Sequence, residues 1–289
     1  MTRHDRYPHH SGCTHPKGGG MNKKMTQGIS GAKETFAGKD RFTDLALGKA
    51  FVERYAERVR YCPVWKKWFV WNGTVWKKDE SNDIHELLTE FIRGMYLKLA
   101  EVSDYRKALE TQNQIIKCES LRRREAILTS AQLEKRIKIE PIQLDRDPFL
   151  FNVLNGTIDL RTGELHEPMR EALVTKCANV RFERDATYTE WDRFLERIMA
   201  GNRRMIGFLQ KAIGCALTGD MSEQSMFILF GTGANGKSTF LNTVMEILGN
   251  YAKTTQPESF MKKRGEGISN DIARLCGTRF VMTHEIDEG

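Results

Sequence analysis

Residues 225–239 read Ser-Met-Phe-Ile-Leu-Phe-Gly-Thr-Gly-Ala-Asn-Gly-Lys-Ser-Thr. A five-residue apolar run, Met226 to Phe230, leads into G-x-x-x-x-G-K-S over Gly231 to Ser238, and a helical pattern follows. Strand, glycine-rich loop and helix in that order predict a phosphate-binding loop. Gly231, Gly233 and Gly236 permit backbone angles that turn several N–H groups toward one anion. The candidate nucleotide-binding residues are Gly231, Thr232, Gly233, Ala234, Asn235, Gly236, Lys237, Ser238 and Thr239. Lys237 has the reach for β- and γ-phosphates, and the Ser238 hydroxyl suits Mg²⁺. The positive end of the following helix adds to the attraction. ATP and Mg²⁺ are therefore the expected cofactors.

Such a site also needs an acidic residue at the end of a neighbouring strand. Arg279 to Thr283 reads as that strand and runs into His284-Glu285. Glu285 is the candidate for polarising water and holding the metal, with Lys237 as its catalytic partner. A solvated acidic turn is the alternative.

The 289 residues suffice for about two domains. No apolar run approaches a membrane span, and the start lacks the apolar core of a signal peptide. Six cysteines without a C-x-x-C pair suit reduced thiols and a cytoplasmic location. The net charge is +7. Residues 1–40 hold seven Lys/Arg and three Asp/Glu, so the remainder is only mildly basic and charge alone permits nucleic acid without demanding it.

Residues 1–40 have no hydrophobic period and are expected to be a disordered leader. A short helix follows, capped by Thr43 or Asp44, with Leu45, Leu47, Phe51, Val52 and Tyr55 on its apolar face. Asn72-Gly73 between β-prone runs predicts a hairpin. Its Trp65, Trp68, Trp71 and Trp76 alternate with Lys66, Lys67, Lys77 and Lys78. They form either a base-stacking platform or a small core, and the core reading is preferred because aromatic side chains dominate cores. Residues 82–137 read as helical. Between Arg106 and Lys138 they carry nine basic and four acidic residues, and Arg122, Arg123 and Arg124 are the candidate DNA contacts, against a plain solvated face. Residues 149–166 read as a three-stranded meander turned at Asn155-Gly156 and Arg161-Thr162-Gly163, and helices return over 190–217.

Several of these segments together resemble superfamily 3 helicases of the primase-helicase type found in phages, plasmids and large DNA viruses. The resemblance rests on Ile228 to Thr239, Trp71-Asn72-Gly73-Thr74-Val75-Trp76, Asn155 to Gly163, Phe208-Leu209-Gln210 with Gly214 to Asp220, and Asn270 to Leu275 leading to Glu285. It implies an ATP-driven DNA helicase that works as a homo-hexamer with other replication proteins, encoded by a mobile element in a bacterial cell. It also implies a fold: an AAA+-like α/β P-loop NTPase segment over 186–289, preceded by a mixed α+β helicase-associated domain over 41–185. His284 stands where the family has an aspartate, which leaves metal ligation to Ser238, Glu285 and water. The sensor strand and arginine finger of the family have no counterpart in the 50 residues after Thr239. The ATPase is accordingly expected to be incomplete, and the chain inactive as a helicase by itself. Two alternatives stand beside this reading. One is a DNA- or partner-binding module with a vestigial nucleotide site. The other is an unrelated P-loop kinase or GTPase, disfavoured because the upstream segments match the helicase family.

Overall fold

The computed structural model describes residues 39–223, 225–231, 233–259 and 274–283. Helix α1 (Asp44–Tyr55) starts where the Thr43 hydroxyl accepts the Ala46 N–H at 3.2 Å. This is an N-cap that satisfies an otherwise orphaned donor. Leu47, Phe51, Val52 and Tyr55 are buried as the spacing predicts, but Leu45 faces solvent. The buried face lies on α4 (Leu121–Ala131). Gly48 allows the close approach: a Cβ there would stand 2.8 Å from the Ala131 nitrogen and from the Ser130 Cβ. The segment 82–137 that reads as helical thus folds mainly as three helices, α2 (Asp83–Leu99), α3 (Tyr105–Cys118) and α4. Asp104 makes the first break by accepting from the Arg106 and Lys107 N–H groups, which caps α3.

The first sheet is antiparallel, β1 (Val59–Cys62), β2 (Lys67–Trp71) and β3 (Trp76–Lys78), with Trp71 opposite Trp76. The expected Asn72-Gly73 turn is a longer loop. Asn72 Oδ1 accepts from the Thr74 and Val75 N–H groups at 2.9 and 2.8 Å, and Gly73 takes φ +102°. Asparagine here imitates a backbone turn with its side chain, the mechanism that competes with a two-residue hairpin. Trp76 is wholly buried and donates its indole N–H to the Arg170 carbonyl at 2.8 Å. Trp68 is also buried, Trp71 is half-buried and Trp65 is exposed.

The second sheet is the meander β4 (Leu150–Val153), β5 (Gly156–Asp159) and β6 (Glu164–His166). Leu154-Asn155 forms its first turn. The Asn155 side chain then ties to the Phe182 backbone in both directions, at 3.0 and 2.8 Å. Helices α5 (Thr189–Ile198), α6 (Arg203–Leu217) and α7 (Lys237–Leu248) follow, with the parallel pair β7 (Ala252–Thr255) and β8 (Phe280–Thr283). One core unites these parts: Phe151, Val153 and Ile158 of the meander meet Leu195, Phe240, Val244, Leu248 and Tyr251. That core crosses the expected boundary at 185/186.

The expected buried strand Met226–Phe230 is different in the structure. It has no regular secondary structure, and Phe230 is 89% exposed. A continuous apolar run is the pattern of a strand covered on both faces within a parallel sheet. Among the described residues the parallel sheet has two strands, β7 and β8, and neither pairs with this run. The described residues form a mixed α/β molecule with three small sheets. Their five cysteines are all unpaired, and no helix among them is long and apolar enough to cross a membrane.

Candidate functional site

The Gly231–Thr239 segment enters α7 through three residues in the left-handed region. Gly233 has φ +90°, Ala234 +48° and Gly236 +84°. Glycine is needed at 236 for its angle and for space, since a Cβ there would lie 2.5 Å from the Ile198 Cγ2 of α5. Helix α7 begins at Lys237 with no side-chain cap, so its first N–H groups have no partner inside the helix. Lys237 Nζ donates to the Gly231 carbonyl and to Asn235 Oδ1, both at 3.1 Å. The ammonium is thereby folded over the mouth of the loop. Ser238 and Thr239 lie exposed in the first turn of α7. Thr232 and Glu285 lie outside the described residues.

Two of the three candidate DNA-contacting arginines are committed within the fold. Arg123 pairs with Asp44 at 2.5 Å and donates to the Phe42 carbonyl. Arg124 donates to the His85 carbonyl at 2.7 Å and the Thr89 hydroxyl at 2.8 Å. Arg122 alone of the three is exposed, beside a recess of about 130 Å³ lined also by Asp44, Ser120, Arg123 and Ala126. A run of consecutive residues on one helix points in several directions, so a triplet in sequence does not make a triplet on a surface.

A denser cationic group lies at the first sheet, where no sequence motif announces it. Arg170 Nη1 and Arg136 Nη2 both reach the Glu57 carboxylate, at 2.8 and 3.5 Å. The Arg170 hydrogen bond is the main reason that Glu57 titrates below the ordinary carboxylate range. Arg60 stands 4.6 Å over the Trp76 ring, and Arg170 stands 5.9 Å over Trp71. Burial pulls the Arg60 guanidinium below its ordinary value, as do Arg170 and Arg136. Arg136 belongs to the basic stretch read from sequence, but Arg60 and Arg170 come from far along the chain and only the fold gathers them.

A further arginine ties the meander to the later elements. Arg279 donates to the Leu217 carbonyl at 2.6 Å and the Leu150 carbonyl at 2.7 Å, with its guanidinium 4.6 Å over Tyr251.

Residues 48–200, more than half of the chain, match the D5 N-terminal-like family, and the chain belongs to that family. A 130-residue stretch is 28% identical to a protein of Acanthamoeba polyphaga mimivirus named "Putative helicase L207/L206". The aligned stretch is 44% of this chain and 13% of the viral protein, so the chain spans a small part of that relative's length.

Proposed function

We propose that this chain is the helicase-associated region, with the beginning of the ATPase, of a primase-helicase-type protein in phage, plasmid or viral DNA replication. The observation that carries the reading is the run of left-handed residues Gly233, Ala234 and Gly236 immediately before Lys237 at the start of α7. Successive N–H groups in such a run, facing an uncapped helix start, fit a polyphosphate. Membership of the D5 N-terminal-like family and the likeness to a viral protein named as a helicase support the setting.

In this reading the backbone of Gly233 to Thr239 holds the phosphates of ATP. Lys237 exchanges its contacts to the Gly231 carbonyl and Asn235 for the β- and γ-phosphate oxygens. Ser238 and Glu285 would hold Mg²⁺, which when bound offsets phosphate charge. The complete protein would assemble as a homo-hexamer on DNA. A second reading, a binding module with a vestigial nucleotide site, is favoured by the exposed, unpaired run Met226–Phe230.

Titration of a fluorescent ATP analogue with Mg²⁺ separates the two. Saturable binding that weakens at least about tenfold in Lys237→Ala is expected, because alanine cannot make the lysine's charge-assisted hydrogen bond to phosphate. Binding that is absent, or indifferent to Lys237, removes the ATPase reading.

A further inference from the structure

The first sheet carries more fixed positive charge than its own folding consumes. Arg136 and Arg170 share one carboxylate, Glu57. The charged groups acting most strongly on the neighbouring Arg60 are Glu57 and Glu171 on one side, and Arg170 and Arg136 on the other. Three guanidinium groups thus face two carboxylates. They are held in place by neutral contacts as well as by pairing. Arg60 donates to the Ala56 and Val59 carbonyls and lies over Trp76, while Arg170 lies over Trp71. The Arg170 Nε is buried and has no hydrogen-bond partner. Guanidinium groups ordered on aromatic rings lose little freedom on meeting an anion, and their planar forks match phosphate oxygens.

The connection between β1 and β2 carries an exposed ring. Arg60 is the register partner of Phe69, and Trp65 lies 6.1 Å from Phe69 with 46% of its surface exposed. Lys66 and Lys67 follow it, both exposed. Core tryptophans of this hairpin are covered, whereas Trp65 offers a face that packing does not use.

We propose that Arg136 and Arg170, ordered by Arg60 and the Trp71–Trp76 pair, bind the phosphodiester backbone of a single nucleic-acid strand, with Trp65 stacking a base. The proposal rests on the replication reading only for the strand being DNA. A single strand fits better than a duplex, because stacking on an isolated ring requires an unstacked base. Glu57 then acts as an internal competitor that the phosphate displaces from the two arginines.

The test is fluorescence anisotropy of the full 289-residue chain with labelled oligothymidylate, and with a duplex of equal length, over a salt series. Arg136→Gln with Arg170→Gln should weaken single-strand binding about tenfold. It should also reduce the salt slope by about 1.4, because each phosphate that a guanidinium no longer neutralises removes ~0.7. Glu57→Gln should tighten binding about threefold, since it frees both guanidinium groups. Trp65→Ala should weaken the single strand about fivefold with the slope unchanged. A merely structural cluster would give the opposite pattern: Glu57→Gln and the double variant would lower the melting temperature and leave binding alone, which overturns the proposal. Equal effects on duplex and single strand would overturn the stacking role. No binding even at about 50 mM salt, a condition that strongly favours phosphate contacts, would overturn the site. That outcome would leave the nucleotide titration, and the reading it tests, untouched.

Discussion

Tyr251 is 1% exposed, and its hydroxyl accepts the Asn152 N–H at 3.0 Å while its ring stacks on Phe151 at 4.6 Å. Burial, more than any charge, pushes its hydroxyl pKa up to about 12 from 10.0. The folded state therefore holds this proton more tightly than the unfolded chain. The stability it contributes is whole below pH 10 and is lost as pH rises from 10 toward about 12. Two pKa units correspond to about 2–3 kcal/mol. Urea midpoints for the parent and Tyr251→Phe check this. The variant should be less stable near neutrality by about 1–3 kcal/mol, because the Asn152 N–H loses its acceptor. It should also show a shallower alkaline decline than the parent, with Tyr55 and Tyr96 contributing what remains. An identical decline in both proteins would show that Tyr251 is not the titrating group. None of this was legible in the sequence. Tyr251 follows a helix in a Gly-Asn-Tyr segment, and its partner is 99 residues away. By contrast, the left-handed glycines at 233 and 236 were signalled, because a loop that must present N–H groups in a row needs glycine at such angles, whereas the left-handed Ala234 was not.

At the scale of elements, helices were the most legible part, since the apolar period of α1 and α2 is set by the face they bury. The three-stranded meander was legible too, from turn residues flanking β-prone runs. What failed was the Met226–Phe230 strand. An apolar run states what a segment would bury, but a parallel strand also needs neighbours, and pairing is not a local property. The joining of elements was equally hidden. Arg279, read in sequence only as the first residue of a strand, holds the end of α6, the start of β4 and the Tyr251 ring with one planar group. Burial pulls its pKa down, and Tyr251, Asp145 and Asp147 oppose that. Lysine would keep the charge but cannot span two carbonyls while lying flat on a ring. Arg279→Lys is therefore expected to lose about 1.5–3 kcal/mol, the contribution of the one charge-assisted hydrogen bond that lysine cannot keep. Chemical denaturation measures it. A loss below about 0.5 kcal/mol, within the range of ordinary surface substitutions, would mean that the clamp is dispensable.

At the scale of the whole molecule, the family resemblance implied a boundary near residue 185 between a helicase-associated domain and the ATPase lead-in. Packing runs across it. The inner face of the meander (Phe151, Val153 and Ile158) is covered by Leu195 of α5, by Phe240, Val244 and Leu248 of α7, and by Tyr251. Further ties reinforce the packing: Asn179 donates to the Ile247 carbonyl at 3.0 Å and Gly219 to the Pro148 carbonyl at 2.7 Å. Sequence patterning shows that a strand has an apolar face without showing which distant helix meets it, so packing across that boundary was not legible in the sequence. Burying one large apolar side chain stabilises by roughly 1.5–3 kcal/mol. Uncovering the three meander residues then costs about 4.5–9 kcal/mol, comparable with the ~5–15 kcal/mol net stability of an average domain. A fragment of residues 41–185 should therefore retain helical circular dichroism from α1 to α4, whose contacts lie within it. It should also bind an apolar dye and melt broadly, well below the full chain. Replacing Phe151 and Ile158 by serine in that fragment should reduce dye binding, because those side chains would form the exposed patch. If the unsubstituted fragment melts cooperatively at the full chain's temperature and binds no dye, the meander is closed by contacts within 41–185, and α7 with Tyr251 contributes little to holding it.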